Sequence, residues 1–149
     1  MNDIAMFLSE ETIMMDYDSK SQKNALEIIS KKMSELSSTN ADEIFEKLYE
    51  RENLGTTAFG NGFAIPHARV KGIEDAKVIV LKLNKGIDFN SVDDSKVDVI
   101  ISLLAPDDKN DTHIELLAHI AKLLDSQIIR EKIRSAESAS DIIRVIQDS

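Results

Sequence analysis

Two kinds of apolar spacing alternate along the chain, and each change of spacing marks an element. Ala25, Leu26, Ile29, Met33 and Leu36 recur at helical intervals, which predicts an amphipathic helix over 20–37. Ser19-Lys20-Ser21-Gln22 ahead of it has the form of a capping box, with Gln22 three residues after Ser19. Beyond the linker Ser37-Ser38-Thr39, Asn40-Ala41-Asp42-Glu43 caps a second helix. Ile44, Phe45, Leu48 and Tyr49 form its apolar stripe, and Gly55 closes it. The pattern then changes. Val78–Leu83 and Val97–Leu104 are nearly continuous apolar runs rich in β-branched residues, as expected of strands buried on both faces. Lys71-Gly72 and Lys85-Gly86 predict turns around the first run, and Ala105-Pro106 ends the second.

A polar loop over 107–111 leads to Thr112-His113-Ile114-Glu115, a further capping-box pattern opening a helix to about Asp125. Two short helices follow, over about 127–135 and 139–147, the second capped by Ser138-Ala139-Ser140-Asp141. Residues 4–15 suggest a brief helix and then a short strand. No repeat, low-complexity tract or long linker divides the chain, so residues 1–149 are expected to form a single domain.

Charge and composition narrow the function classes. The net charge of −9 argues against nucleic acid and against an anionic membrane surface, both of which call for basic patches. With no cysteine there are no disulfides or thiolate metal sites, which suits a reducing cytoplasm. The N-terminal segment lacks a basic region and a long apolar run, so no signal peptide or membrane insertion is expected. The expectation is a cytoplasmic protein.

Candidate chemistry gathers in Thr56-Thr57-Ala58-Phe59-Gly60-Asn61-Gly62-Phe63-Ala64-Ile65-Pro66-His67. Asn-Gly between apolar residues signals a β-hairpin, in which His67 would merely follow a strand. Pro66 also holds Ile65 extended, so the same segment presents His67 on a stiff support, as a nucleophilic imidazole requires. The other two histidines separate by helical angle. At about 100° per residue, His113 falls on the arc of Leu116, Leu117, Ile120 and Leu124, whereas His119 falls with Glu115 and Lys122. His119 is therefore expected in solvent. His113 points inward from the first turn of its helix, either as a core histidine paired with a carbonyl or beside a bound anion. Arg51 lies on the inward stripe of its helix, with either its stem packed and its head snorkelling, or its charge turned to a site.

The string Arg51-Glu52-x-Leu54-Gly55-Thr56-Thr57-x-x-Gly60-Asn61-Gly62-x-Ala64-Ile65-Pro66-His67 resembles the active-site signature of the fructose/mannitol-type enzyme IIA domains of the phosphotransferase system. Thr112–Leu117 with Ala121–Leu124 is similar to that family's second histidine segment, and Ser21–Ile29 looks most like its nitrogen-regulatory branch. The resemblance implies an α/β fold with a central mixed β-sheet and helices on both faces. It implies that His67 accepts the phosphoryl group and that His113 and Arg51 orient the ring and stabilise the group. The implied donor is a phosphohistidine carrier of the HPr or NPr type. The implied recipients are a regulatory target or, for a sugar-transport relative, a separate IIB permease subunit. Ala68-Arg69 after the histidine departs from the Gly-Lys commoner in the nitrogen branch, which blurs the branch but not the superfamily.

No cofactor or metal is implied, because nucleophile and leaving group are both imidazole nitrogens. A metallohydrolase fits poorly, since His113 and His119 are six residues apart and helical ligand pairs need three or four. A binding module that never turns over phosphate stays open, opposed only by the complete Arg51, His67 and His113 set. Arg51, Arg69 and Lys71 with Phe59 and Phe63 suggest a docking patch that a phosphoryl group on His67 would disrupt.

Overall fold

The computed structural model describes residues 4–108 and 110–149, leaving Met1–Asp3 of the expected leaderless start and Lys109 of the expected polar loop outside the described residues. Two short 3-10 turns, Ala5–Phe7 and Glu10–Thr12, lead into strand β1, Ile13–Tyr17. Helices α1 (Gln22–Ser37) and α2 (Ala41–Leu54) follow, then strands β2 (Ala58–Gly60), β3 (Phe63–Ala64), β4 (His67–Val70), β5 (Lys77–Ile87) and β6 (Val97–Pro106). Helices α3 (Asn110–Leu124), α4 (Gln127–Ser135) and α5 (Ala139–Gln147) complete the chain.

The strands form one mixed sheet in the order β1-β5-β6-β3-β2, with β4 also on β6. β5 and β6 are antiparallel at the centre, β1 is parallel to β5, and β3 and β4 are parallel to β6. Because side chains alternate along a strand, β5 and β6 supply both faces with apolar residues. Val78, Val80, Val99, Ile101 and Leu103 meet Leu116, Ile120, Ile133, Ile142 and Ile146 of α3, α4 and α5. Ile79, Leu81, Ile100 and Leu104 meet Leu26, Ile29, Met33, Ile44 and Leu48 of α1 and α2. This is the expected α/β sheet with helices on both faces, and it explains why the two central strands carry no regular alternation of polar and apolar residues.

Local signals held best where one side chain does the capping. Asn40 accepts from the Glu43 N–H and Ser138 from the Asp141 N–H, as expected, and Ser126, which sequence reasoning did not single out, caps α4 in the same way through the Ile129 N–H. At α1 the cap is Ser21, not Ser19, because Ser21 accepts from the Asn24 N–H while the Ser19 hydroxyl bonds the Asn24 side chain. Thr112 is likewise no cap, since α3 already begins at Asn110. Lys85-Gly86 is no turn either. β5 runs through it to Ile87 with an irregular register, and Gly86 passes so close to Lys96 that an added Cβ would lie 2.6 Å from that residue's Cβ.

Candidate functional site

β3 and β4 form one extended path along β6, broken by Ile65-Pro66. Proline cannot donate to the ladder, and the break hands its carbonyl to new partners. The Pro66 carbonyl accepts from the Leu103 N–H at 3.0 Å and from the buried Ser102 hydroxyl at 2.8 Å. His67 therefore enters β4 from a fixed peptide, opposite Leu103.

Upstream, β2 and β3 do form the hairpin that Asn-Gly predicted, with Asn61 at φ 57° and Gly62 at φ 86°, the positive values a two-residue hairpin turn requires. The hairpin and the histidine support are thus one structure. Asp93 holds the turn through the Asn61 N–H at 2.9 Å, and hydrogen bonds from Ser91, Asn61 and Ser95 keep its carboxyl below the usual carboxylate range. From the other side Arg134 of α4 donates twice to Asp98 and at 2.8 Å to the Asn61 carbonyl, with its guanidinium 4.7 Å from the Phe63 ring centre.

At His67 three elements converge. Nδ1 lies 2.8 Å from the Ile65 carbonyl, which accepts a hydrogen bond and therefore puts the ring proton on Nδ1. Nε2 keeps its lone pair and accepts from Arg51 Nε of α2 at 3.3 Å. Arg51 is held in turn by donating to the Gly55 carbonyl at 2.8 Å. From the opposite layer α3 brings His113, whose ring meets that of His67 edge-on with centroids 5.4 Å apart. Arg51, His67 and His113 are thus brought together, as the sequence suggested.

Burial, then the Arg51 charge, lower the His67 pKa, against the opposing pull of the Ile65 carbonyl. His113 is lowered to about 4, first by burial and then by the charges of His67 and Arg69. Both rings are neutral near pH 7. His113 is 8% exposed and its Nδ1 has no hydrogen-bond partner, so it is not the core histidine paired with a carbonyl. His119 departs from expectation. It is half-buried instead of solvated.

Phe63 also departs from expectation as a surface anchor. It is 0% exposed beneath Arg134, and Phe59 is half-buried, so the exposed apolar residues flanking the site in sequence are Leu54 and Ile114. Sequence reasoning also passed over Glu52, a buried carboxyl that accepts from the Thr57 N–H, the Thr57 hydroxyl and the Gln22 amide. Burial raises its pKa despite those hydrogen bonds. Among the described residues no three histidine or acidic side chains converge as a metal site, and no helix is long and apolar enough to cross a membrane.

Residues 6–149 match the family model described as phosphoenolpyruvate-dependent sugar phosphotransferase system, EIIA 2. A nitrogen regulatory protein of Pseudomonas aeruginosa is 40% identical over 86% of this chain and 84% of its own length. The crystal structure of nitrogen regulatory protein IIA-Ntr from Neisseria meningitidis superimposes with a TM-score of 0.91 at 29% identity, covering 96% of this chain and 98% of that one. Enzyme IIA of the Escherichia coli mannitol system, solved in complex with phosphorylated enzyme IIB, shares the fold with a TM-score of 0.81 at 17% identity, over 95% and 98% of the two chains.

Proposed function

Because the chain belongs to the EIIA type-2 family of the phosphoenolpyruvate-dependent sugar phosphotransferase system, we propose that it is a nitrogen-regulatory phosphocarrier whose His67 takes a phosphoryl group from a phosphohistidine carrier of the HPr or NPr type. The observation that carries this reading is the state of the His67 ring. Nδ1 is occupied by the Ile65 carbonyl, and Nε2 offers a lone pair beside a guanidinium. That is the arrangement of a nucleophile aimed at an anion.

The Nε2 lone pair forms the new N–P bond as the carrier's N–P bond breaks and its electron pair returns to the carrier's imidazole. The His67 ring gains positive charge as its lone pair is used, and the Ile65 carbonyl on Nδ1–H offsets it. Negative charge spreads over the three equatorial oxygens in the loose transition state. Arg51, already at Nε2, is placed to meet those oxygens, and so is His113 as a neutral donor from the first turn of α3. Burial assists twice. It keeps Nε2 unprotonated near pH 7 and strengthens each charge-assisted contact.

The fold shared with a mannitol IIA that was solved with phosphorylated IIB supports a second reading, transfer onward to a separate IIB permease subunit. Incubation with phosphorylated carrier, with and without a IIB subunit and its sugar, separates the two. Phosphate retained on the protein supports the regulator, and phosphate passed to sugar supports transport. No uptake at all would remove both and leave a module that binds without turnover.

A further inference from the structure

We propose that Glu52 is a positioning residue for His67, fixing the imidazole in its Nδ1–H form through Thr57 and Ile65. The hydrogen bonds of Glu52 go to Gln22 and Thr57, not to His67. It lies on α2 beside Arg51, with 8% of its surface exposed. Its Oε2 accepts from the Gln22 amide at 2.9 Å and from the Thr57 N–H at 3.0 Å, and its Oε1 is in close contact with the Thr57 hydroxyl.

Three hydrogen-bonded links then reach the ring. Glu52 accepts from both donors of Thr57, its N–H and its hydroxyl, the Thr57 carbonyl accepts from the Ile65 N–H at 2.9 Å, and the Ile65 carbonyl accepts from His67 Nδ1 at 2.8 Å. The middle bond closes the open end of the hairpin made by β2 and β3, between the residue before β2 and the residue after β3.

Consecutive residues on a helix point about 100° apart, so one helix end can serve two sides of a ring. Arg51 acts directly on Nε2. Glu52 acts on Nδ1 by way of the backbone. A buried carboxyl is costly unless its hydrogen bonds are made, and here those bonds are spent on the peptide that sets the tautomer. A group whose only task was packing would need no acceptor at this place.

The variants Glu52→Gln and Glu52→Met separate positioning from packing. The glutamine oxygen can accept from Gln22 and the Thr57 N–H while its NH2 donates to the Thr57 hydroxyl, so all three contacts survive without the charge. Methionine has similar length and no comparable acceptor. Nitrogen-15 NMR of the His67 ring reads which nitrogen carries the proton, with circular dichroism confirming the fold. Glu52→Gln is expected to keep the Nδ1–H form, and Glu52→Met to show a substantial Nε2–H population. Phosphoryl uptake by Glu52→Met should be slower by about 10- to 100-fold, the scale of a small misplacement of a nucleophile.

A wild-type tautomer in folded Glu52→Met would overturn the proposal. So would loss of fold in Glu52→Met with Glu52→Gln folded, since Glu52 would then be a fold determinant. The NMR comparison does not depend on phosphate. Failure of the wild-type protein to take up phosphate would sink the phosphocarrier reading on which the rate comparison rests, while the ring measurement still decides the role of Glu52.

Discussion

Gly62→Ala is a demanding perturbation of the hairpin that leads to His67. Gly62 sits at φ 86°, and a Cβ there would lie 2.5 Å from an Arg134 guanidinium nitrogen, 3.1 Å from Asp98 and 3.3 Å from the Lys96 carbonyl. The left-handed backbone alone costs a residue with a Cβ about 1–2 kcal/mol. The guanidinium would also have to swing away from Asp98 and from the Phe63 ring. Arg134 and Asp98 are partly exposed, with side-chain exposures of 39% and 31%, so their pair is worth only about 0.5–1 kcal/mol after solvent screening. The cation–π contact adds a similar amount. Together these come to about 3 kcal/mol, or roughly 6–12 °C in melting temperature for a chain of this size.

Thermal unfolding of Gly62→Ala, Arg134→Ala and the double variant tests this. Once Arg134 is gone the alanine methyl has room, so the double variant should be more stable than the sum of the single effects implies. Strict additivity would refute the clash with Arg134, and a shift under about 2 °C for Gly62→Ala would refute the backbone strain as well.

Further outcomes follow from the site. His113→Ala should fold and take up phosphate about ten- to a thousandfold more slowly, whereas His119→Ala, on the far arc of α3, should transfer normally; stopped uptake kinetics compare them. The lowered His67 pKa means that the acid limb of the uptake rate should lie below the usual 6.5, because only the unprotonated ring attacks. His113 titrates near 4 in the fold and near 6.5 unfolded, so the unfolded chain binds more protons between those values. Stability should therefore fall as pH drops from about 6.5 towards 4, and melting scans of His113→Gln should show a flatter dependence. Ser102→Ala removes one of the two donors on the Pro66 carbonyl and should lower stability by about 1 kcal/mol while slowing uptake, as paired melting and uptake measurements would show.

Much of this was legible in the chain because it rests on short-range rules. The inward arc of α3 places His113 at the site, since helical angle fixes direction whatever the neighbours. Asn40 and Ser138 cap as expected because each acts on an N–H three residues ahead. Ser19 and Thr112 misled for the opposite reason. Serine or threonine followed by glutamine or glutamate recurs by chance, and the choice between overlapping caps is made by where the helix packs. Lys85-Gly86 looked like a turn, yet Gly86 serves a close approach to Lys96 that only the third dimension reveals. Glu52 was invisible as a buried group because it follows Arg51 in a charged stretch, and its partners Gln22 and Thr57 lie on other elements. Ser102 did leave a signal. A lone hydroxyl inside an apolar strand must find an acceptor, and here it finds the carbonyl just before the candidate nucleophile.

The most direct test is to locate the phosphoryl group. The wild-type protein and His67→Ala are incubated with a phosphorylated HPr- or NPr-type carrier, and the products are read by mass spectrometry with nitrogen-15 and phosphorus-31 NMR. A single acid-labile phosphoryl group on His67 Nε2, absent from His67→Ala, is the predicted result. Uptake by His67→Ala, or phosphate on His113, His119 or His67 Nδ1, would contradict it.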